Sequence, residues 1–170
     1  LERARALARP PAIEPSAGET IEVLRFVLAN ERYAIELRHV VEVARLVDLT
    51  RVPGAPDFLL GVLQRRGEVL AAIDLHRLFG IEKKGLTDLS RAIVLGGEQA
   101  EFAVLADEVR DVTRLWRETI QKPPASFAGI WRDYVCGVME DSTIVLDGRA
   151  LLEDRRLFID QGNGGSEEKR

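Results

Sequence analysis

The sequence predicts a mainly β protein built from two small barrels that share a seam. Three observations predict it. Residues sort onto two faces at the period of a pleated strand in several short stretches, such as Val69, Ala71 and Ile73 on one face and Glu68, Leu70 and Ala72 on the other. Turn signals separate these stretches, at Asn30, Arg66-Gly67, Gly96-Gly97 and Asp141-Ser142. The chain also echoes itself. Tyr33-Ala34-Ile35 is followed by Val40 and Val43, and Phe102-Ala103-Val104 by Val109 and Val112, at the same offsets. Gly61-Val62 leads into a strand ending Ile73-Asp74 and a helical turn, and Gly137-Val138 into a strand ending Leu146-Asp147 and a helix. Two diverged copies of one β unit account for this, and closure into barrels would hide their strand edges.

Taken in order, Leu1 to Arg9 is Ala- and Arg-rich enough for two helical turns, which Pro10-Pro11 end. Residues 1–19 therefore read as a leader and linker, either a docking arm or a solvated lead-in. From Ile21 the pattern is β, with Leu24, Phe26 and Leu28 on one face, a turn over Ala29 to Arg32, and Tyr33, Ile35 and Leu37 on the returning strand. Val40 to Val52 is rich in β-branched residues, with Val41, Val43 and Arg45 opposite Glu42 and Ala44, and Pro53 and Pro56 break it. Asp57 to Leu60 has room for one helical turn. Gly61 to Gly80 packs the most into the fewest residues. It reads as a strand, a reversal at Gly67, a second strand, a cap at Asp74, and a helical turn over Leu75, Leu78 and Phe79 closed by Gly80. Glu82 to Ser90 is a charged loop. Strands follow at Ala92 to Leu95, Phe102 to Ala106 and Val109 to Leu115, with a loop from Lys122 through Gly129. A hairpin turns at Asp141-Ser142, and Asp147 caps a helix through Leu152 and on toward Phe158. The folded region is thus 20–158, in halves of roughly 20–82 and 90–155, and 159–170 reads as a disordered tail.

Composition narrows the function classes. The 170 residues carry a formal charge of −4, so no global excess of positive charge favours nucleic acid. No apolar run approaches a membrane span, and no signal peptide is visible. Leu1 is not a start methionine, which fits a sequence beginning inside a longer chain or after a removed tag. A single cysteine, Cys136, rules out an internal disulfide and fits a cytoplasmic setting.

The spacings that enzymes need are missing. There is no phosphate-cradling glycine loop, no Gly-x-Ser-x-Gly elbow and no zinc-type cysteine pair. His39 and His76 sit in different segments. Asp74 and His76 are too few for a closed metal site, and capping explains the first while a solvated helix face explains the second. Cys136 alternates with Tyr134 and Val138, as a buried apolar thiol would. No cofactor, metal site or catalytic residue is expected. What remains is surface. Arg65-Arg66 is either a solvated pair or a fork of donors aimed at a carboxylate, within the protein or on a partner. Trp116 and Trp131 flank the Pro123-Pro124 loop as half-buried packing residues or interface anchors.

The ordered motifs Tyr33-Ala34-Ile35, Val40-Val41-Glu42-Val43 and Pro53-Gly54-Ala55-Pro56 are followed by Gly61-Val62-Leu63-Gln64-Arg65-Arg66-Gly67. Ala71-Ala72-Ile73-Asp74-Leu75, Ala106-Asp107-Glu108-Val109 and Tyr134-Val135-Cys136-Gly137-Val138 come next. Together they resemble the CheW-like coupling proteins of bacterial chemosensory arrays, from about Ile21 to Leu152. The resemblance implies two five-stranded barrels of the Src-homology-3 type and a non-enzymatic adaptor. It implies binding to the regulatory domain of the histidine kinase CheA and to the cytoplasmic tip of chemoreceptors, in the cytoplasm at membrane receptor arrays without direct membrane insertion. By position, Val40, Glu42, Gly61 and Arg66 match residues tied to receptor or kinase coupling. Phe102, Val104 and Val109 fall where the family offers a kinase-facing surface. Gln64, Arg65 and Ala71 stand where the family usually has Asn, Leu and Pro. Two other readings remain. One is a CheW-like regulatory module cut from a CheA-type kinase or a CheW-receiver fusion. The other is a small barrel binding a small ligand or single-stranded nucleic acid, against which the acidic balance counts.

Overall fold

A computed structural model describes residues 18–82, 85, 87–127 and 130–158. The helical turns expected in Leu1 to Arg9 and the tail from Gln161 lie outside them, as does the side chain of Trp131. The described residues form ten strands and two short α-helices. β1 (Thr20–Leu28), β2 (Glu31–Glu36), β3 (Val40–Arg45), β4 (Leu59–Arg65) and β5 (Glu68–Ile73) precede α1 (Leu75–Phe79). β6 (Arg91–Gly96), β7 (Ala100–Ala106), β8 (Glu108–Trp116), β9 (Val135–Val138) and β10 (Ile144–Leu146) precede α2 (Gly148–Leu152).

The strands make two five-stranded sheets. Sheet A runs β8-β1-β2-β10-β9, and sheet B runs β3-β6-β7-β5-β4. The internal echo becomes a rule of equivalence. Exchanging β1 with β6, β2 with β7, β3 with β8, β4 with β9 and β5 with β10 turns one order into the other. Register obeys it too. Tyr33, Ala34 and Ile35 pair in parallel with Ile144, Val145 and Leu146, and Phe102, Ala103 and Val104 pair in parallel with Ala71, Ala72 and Ile73. Each sheet therefore draws strands from both sequence stretches, 20–82 and 90–155. They interleave, and neither closes a sheet alone, because β2 and β5 find their parallel partners in the other stretch.

Edges are closed by the same device twice. β3 and β4 are opposite edges of sheet B, and the segment leaving β3 returns to bridge Thr50 to Val62 of β4. β8 and β9 are opposite edges of sheet A, and Gln121 bridges Val138 of β9. These bridges remove unpaired edge groups. They need glycine beside them. A Cβ on Gly61 would lie 2.5 Å from the Thr50 carbonyl oxygen, and one on Gly137 would lie 2.2 Å from that of Gln121.

Among the described residues three apolar clusters hold the fold. A small one fills sheet B, with Leu63, Leu70, Ala72, Val94 and Leu105. A smaller one fills sheet A, with Ile21, Val23, Ala34 and Val145. The largest lies between the sheets and takes Phe26, Tyr33 and Ile35 from one and Ile73, Leu95 and Phe102 from the other. The inner strands are thus buried on both faces, and the alternation expected in β5 becomes a run from Leu70 to Ile73 at 0–2% exposure. Asp74 accepts from the His76 and Arg77 amides, Gly80 closes α1 at φ 74°, and Asp147 accepts from the Ala150 amide. Asp74 and Asp147 each donate their own amide to an aromatic residue one hairpin back, to the Phe58 carbonyl at 2.9 Å and the Tyr134 carbonyl at 2.7 Å.

Some local expectations change. Asp57 to Leu60 is not a helical turn, because Leu59 already pairs with Ile73 in β4. The strand expected through Val52 stops at Arg45, where the chain leaves β6 to make the Thr50 bridge. Leu37–His39 is a 3-10 turn.

Candidate functional site

The residues singled out around β3 and the β4–β5 turn converge at one end of sheet B. β3 turns Val41 and Val43 outward, at 41% and 40% exposure, and turns Val40, Glu42 and Ala44 toward the half-buried side. Val47 and Val52, in the segment after the strand, are also exposed. Large apolar side chains standing together in water are informative in a way that single ones are not. A cleft of about 420 Å³ opens beside that segment, lined by Val47, Thr50, Val62, Gln64 and Arg65 among others.

Glu42 faces the β4–β5 turn across the barrel seam. Its carboxylate receives a two-pronged contact from Arg65, Nη2 to Oε1 at 2.8 Å and Nε to Oε2 at 3.2 Å, and a longer one from Arg66 Nη2 at 3.4 Å. These bonds hold the Glu42 carboxyl below its usual range, Arg65 contributing most. The fork therefore belongs to Arg65 and is internal, joining the two edge strands of sheet B. Arg66 is different. Its side chain is 79% exposed, and its backbone takes a left-handed φ of 53° before Gly67 at 83°. Two successive positive φ values make a turn whose twist matches the strands, at the cost of a non-glycine residue in a disfavoured region. Val40 is half-buried against the central cluster. Gly61 is buried, and its lack of a side chain is required by the Thr50 carbonyl.

The residues expected on a kinase-facing surface fare otherwise. Phe102 and Val104 are 0% and 1% exposed. They sit on β7, a central strand with neighbours on both sides and packing on both faces, so they present no side-chain surface to a partner. Val109 is half-buried. The exposed large apolar residues of β8, an edge of sheet A, are Val112 and Trp116, at 48% and 41%; the sequence offered Trp116 as a packing residue or interface anchor, and Val112 only as part of the internal echo. The acidic Asp111 and Asp141 occupy the places equivalent to Glu42 and Arg65, and Arg25 of β1 lies between them at 3.6 and 3.5 Å.

Two further expectations are corrected. His76 is buried at 1% exposure, with Nε2 2.8 Å from the Tyr33 hydroxyl, because α1 turns this residue inward onto β2. Cys136 is exposed, because Val135 and Gly137 take the inward positions of β9. Although the residue is exposed, its thiol lies part-buried against the Leu146 carbonyl at 3.7 Å, and that partial burial pushes it up to about 11, so it is protonated at neutral pH. Among the described residues no group of three or more His, Cys, Asp or Glu side chains is placed to hold a metal ion.

A closed pair of barrels with an apolar strip, an ion-paired seam and an exposed arginine turn defines a protein-binding module. Residues 22–156 match the CheW-like domain, and the chain belongs to that family. It is 28% identical over 146 residues to the chemotaxis protein CheW of Treponema pallidum, covering 82% of this chain and 86% of that protein. It is 32% identical over 148 residues to the CheW of Klebsiella aerogenes, covering 84% and 89%. The crystal structure of the scaffolding protein TtCheW from Thermoanaerobacter tengcongensis superposes with a TM-score of 0.63 at 29% identity, over 75% of this chain and 88% of that one. The chain is thus a non-enzymatic adaptor of the chemotaxis type.

Proposed function

We propose that this chain couples chemoreceptors to a CheA-type histidine kinase, binding the kinase's regulatory domain and the cytoplasmic tip of the receptors. It would do so in the cytoplasm, held at receptor arrays by those contacts and not by insertion into lipid. The observation that carries the reading is that edge strand β3 turns Val41 and Val43 to solvent on one face while Glu42, on the other, ties it to Arg65 and to the exposed Arg66 of the β4–β5 turn. Val41 and Val43 supply apolar area that a partner can cover, Arg66 supplies donors for a partner carboxylate, and Arg65 fixes Glu42 so that the strand keeps its shape. Val40 and Gly61 act from behind, Val40 by packing and Gly61 by letting β4 approach Thr50.

The test is calorimetric titration of the whole chain with the regulatory domain of a CheA from the same genome, and separately with a soluble receptor-tip fragment. Saturable binding that Arg66→Ala weakens, with its melting point unchanged, is the expected result. Absence of binding to both partners would overturn the proposal.

A further inference from the structure

After α2 the chain makes one more 3-10 turn, Arg155–Leu157. Asp154 caps this turn and holds Arg156 from two sides, Oδ1 to Nε at 3.0 Å and Oδ2 to Nη2 at 2.8 Å. Arg156 Nη2 also donates to the Tyr134 hydroxyl at 2.8 Å, and that hydroxyl donates to Asp154. On its other side the Arg156 guanidinium lies 5.5 Å from the centre of the Phe58 ring. Phe58 and Tyr134 are equivalent residues. Each precedes the first strand of its hairpin, and each gives its carbonyl to the capping aspartate that follows. Arg156 thus touches the same position in both copies of the repeat, once through a ring face and once through a hydroxyl. The turn is anchored by Leu157, fully buried in the central cluster, and by Phe158, edge-on to Phe102 at 5.6 Å.

We propose that Arg156 is a positioning residue that clasps the two barrels and fixes the angle between them. Surfaces on sheets A and B are then presented to partners in one arrangement. Its effect on partner binding rests on the adaptor reading; the clasp does not. A guanidinium suits the task because its planar fork is held by Asp154 while its face remains free for an aromatic ring.

The test is a distance measurement between spin labels on the whole chain. Cys136→Ser removes the native thiol, and Gln64→Cys on β4 and Arg110→Cys on β8 label one exposed site per sheet. The expected result is a narrow distribution that Arg156→Ala and Phe58→Leu each broaden, the double variant being no broader than either alone. An unchanged distribution in both single variants, or strictly additive broadening, overturns the clasp. If Arg156→Ala does not fold, Phe58→Leu decides alone. Leu105→Ala, a cavity in the cluster inside sheet B and away from the clasp, should lower the melting point without broadening; equal broadening there would show that width reports stability only, and the proposal would fall. In titrations with the kinase regulatory domain, Arg156→Ala should weaken binding about three- to tenfold although it lies outside the valine strip. A parent chain that binds no partner refutes the adaptor reading and leaves the distance measurement to decide the clasp.

Discussion

Arg66 carries two opposed demands at the scale of one residue. Its left-handed backbone favours glycine, while its exposed side chain makes one long contact to Glu42 and offers its other donors to something outside the chain. Arg66→Gly should therefore stabilise the fold by about 0.5–1 kcal/mol in urea unfolding and at the same time weaken partner binding. A variant that loses stability instead would make Arg66 a structural residue. Gly61 shows the reverse separation. A methyl group there must displace the backbone of Thr50, so Gly61→Ala should lower stability by about 1–3 kcal/mol, read as a lower urea midpoint. An unchanged midpoint would mean that the seam yields easily and that any coupling defect arises at the partner. Asp154 adds a pH dependence. Its carboxyl is lowered to about 2, first by the Arg156 hydrogen bonds. A depressed carboxyl contributes stability that is present above its unfolded value near 4 and lost as pH falls toward 2. Asp154→Asn should flatten the acid limb of the stability curve across that window, and a limb of unchanged slope would assign the acid loss to other carboxylates.

Elements are where the sequence was most and least informative. The Gly61 to Gly80 unit was legible almost residue by residue, because its turn, cap and closing glycine are local chemistry. Asp74 and Asp147 cap helices too short to stand alone, so replacing either with alanine should cost about 1 kcal/mol, and an unchanged melting temperature would refute the capping role. β3 was half legible. The alternation of Val41 and Val43 against Glu42 was plain, but nothing local says which face meets water, since that depends on where β6 and the Thr50 bridge lie. The same limit explains Phe102 and Val104. An aromatic-small-aliphatic strand reads alike at an edge and at a centre, and only the parallel pairing with β5 puts it in the middle. His76 and Cys136 erred for a related reason, because a five-residue helix and a four-residue strand offer too few positions to establish a face. Arg65 as the owner of the fork was open in the sequence, since the choice between neighbouring arginines is made by the direction of β4 toward Glu42.

At the scale of the molecule, the repeat was visible as an echo, but its interleaving was not, because exchange of strands between copies leaves no mark on spacing. Interleaving has a direct test. Residues 20–82 on their own contain β2 without β10 and β5 without β7, and should give no cooperative unfolding transition. A stable, cooperatively melting fragment would show that the parallel pairings are dispensable. The whole chain should melt in a single transition, since the largest apolar cluster is shared between the sheets. Strand order also sets a timetable at the ribosome. β1 and β2 are made first, yet β8, β9 and β10, which complete their sheet, are made last. At about 5–20 residues per second, the newborn hairpin waits roughly 5–20 seconds for its final neighbours. During that interval Phe26, Tyr33 and Ile35 have no finished sheet to enter, which makes the nascent N-terminal hairpin a client for whatever shields apolar surface in the cell.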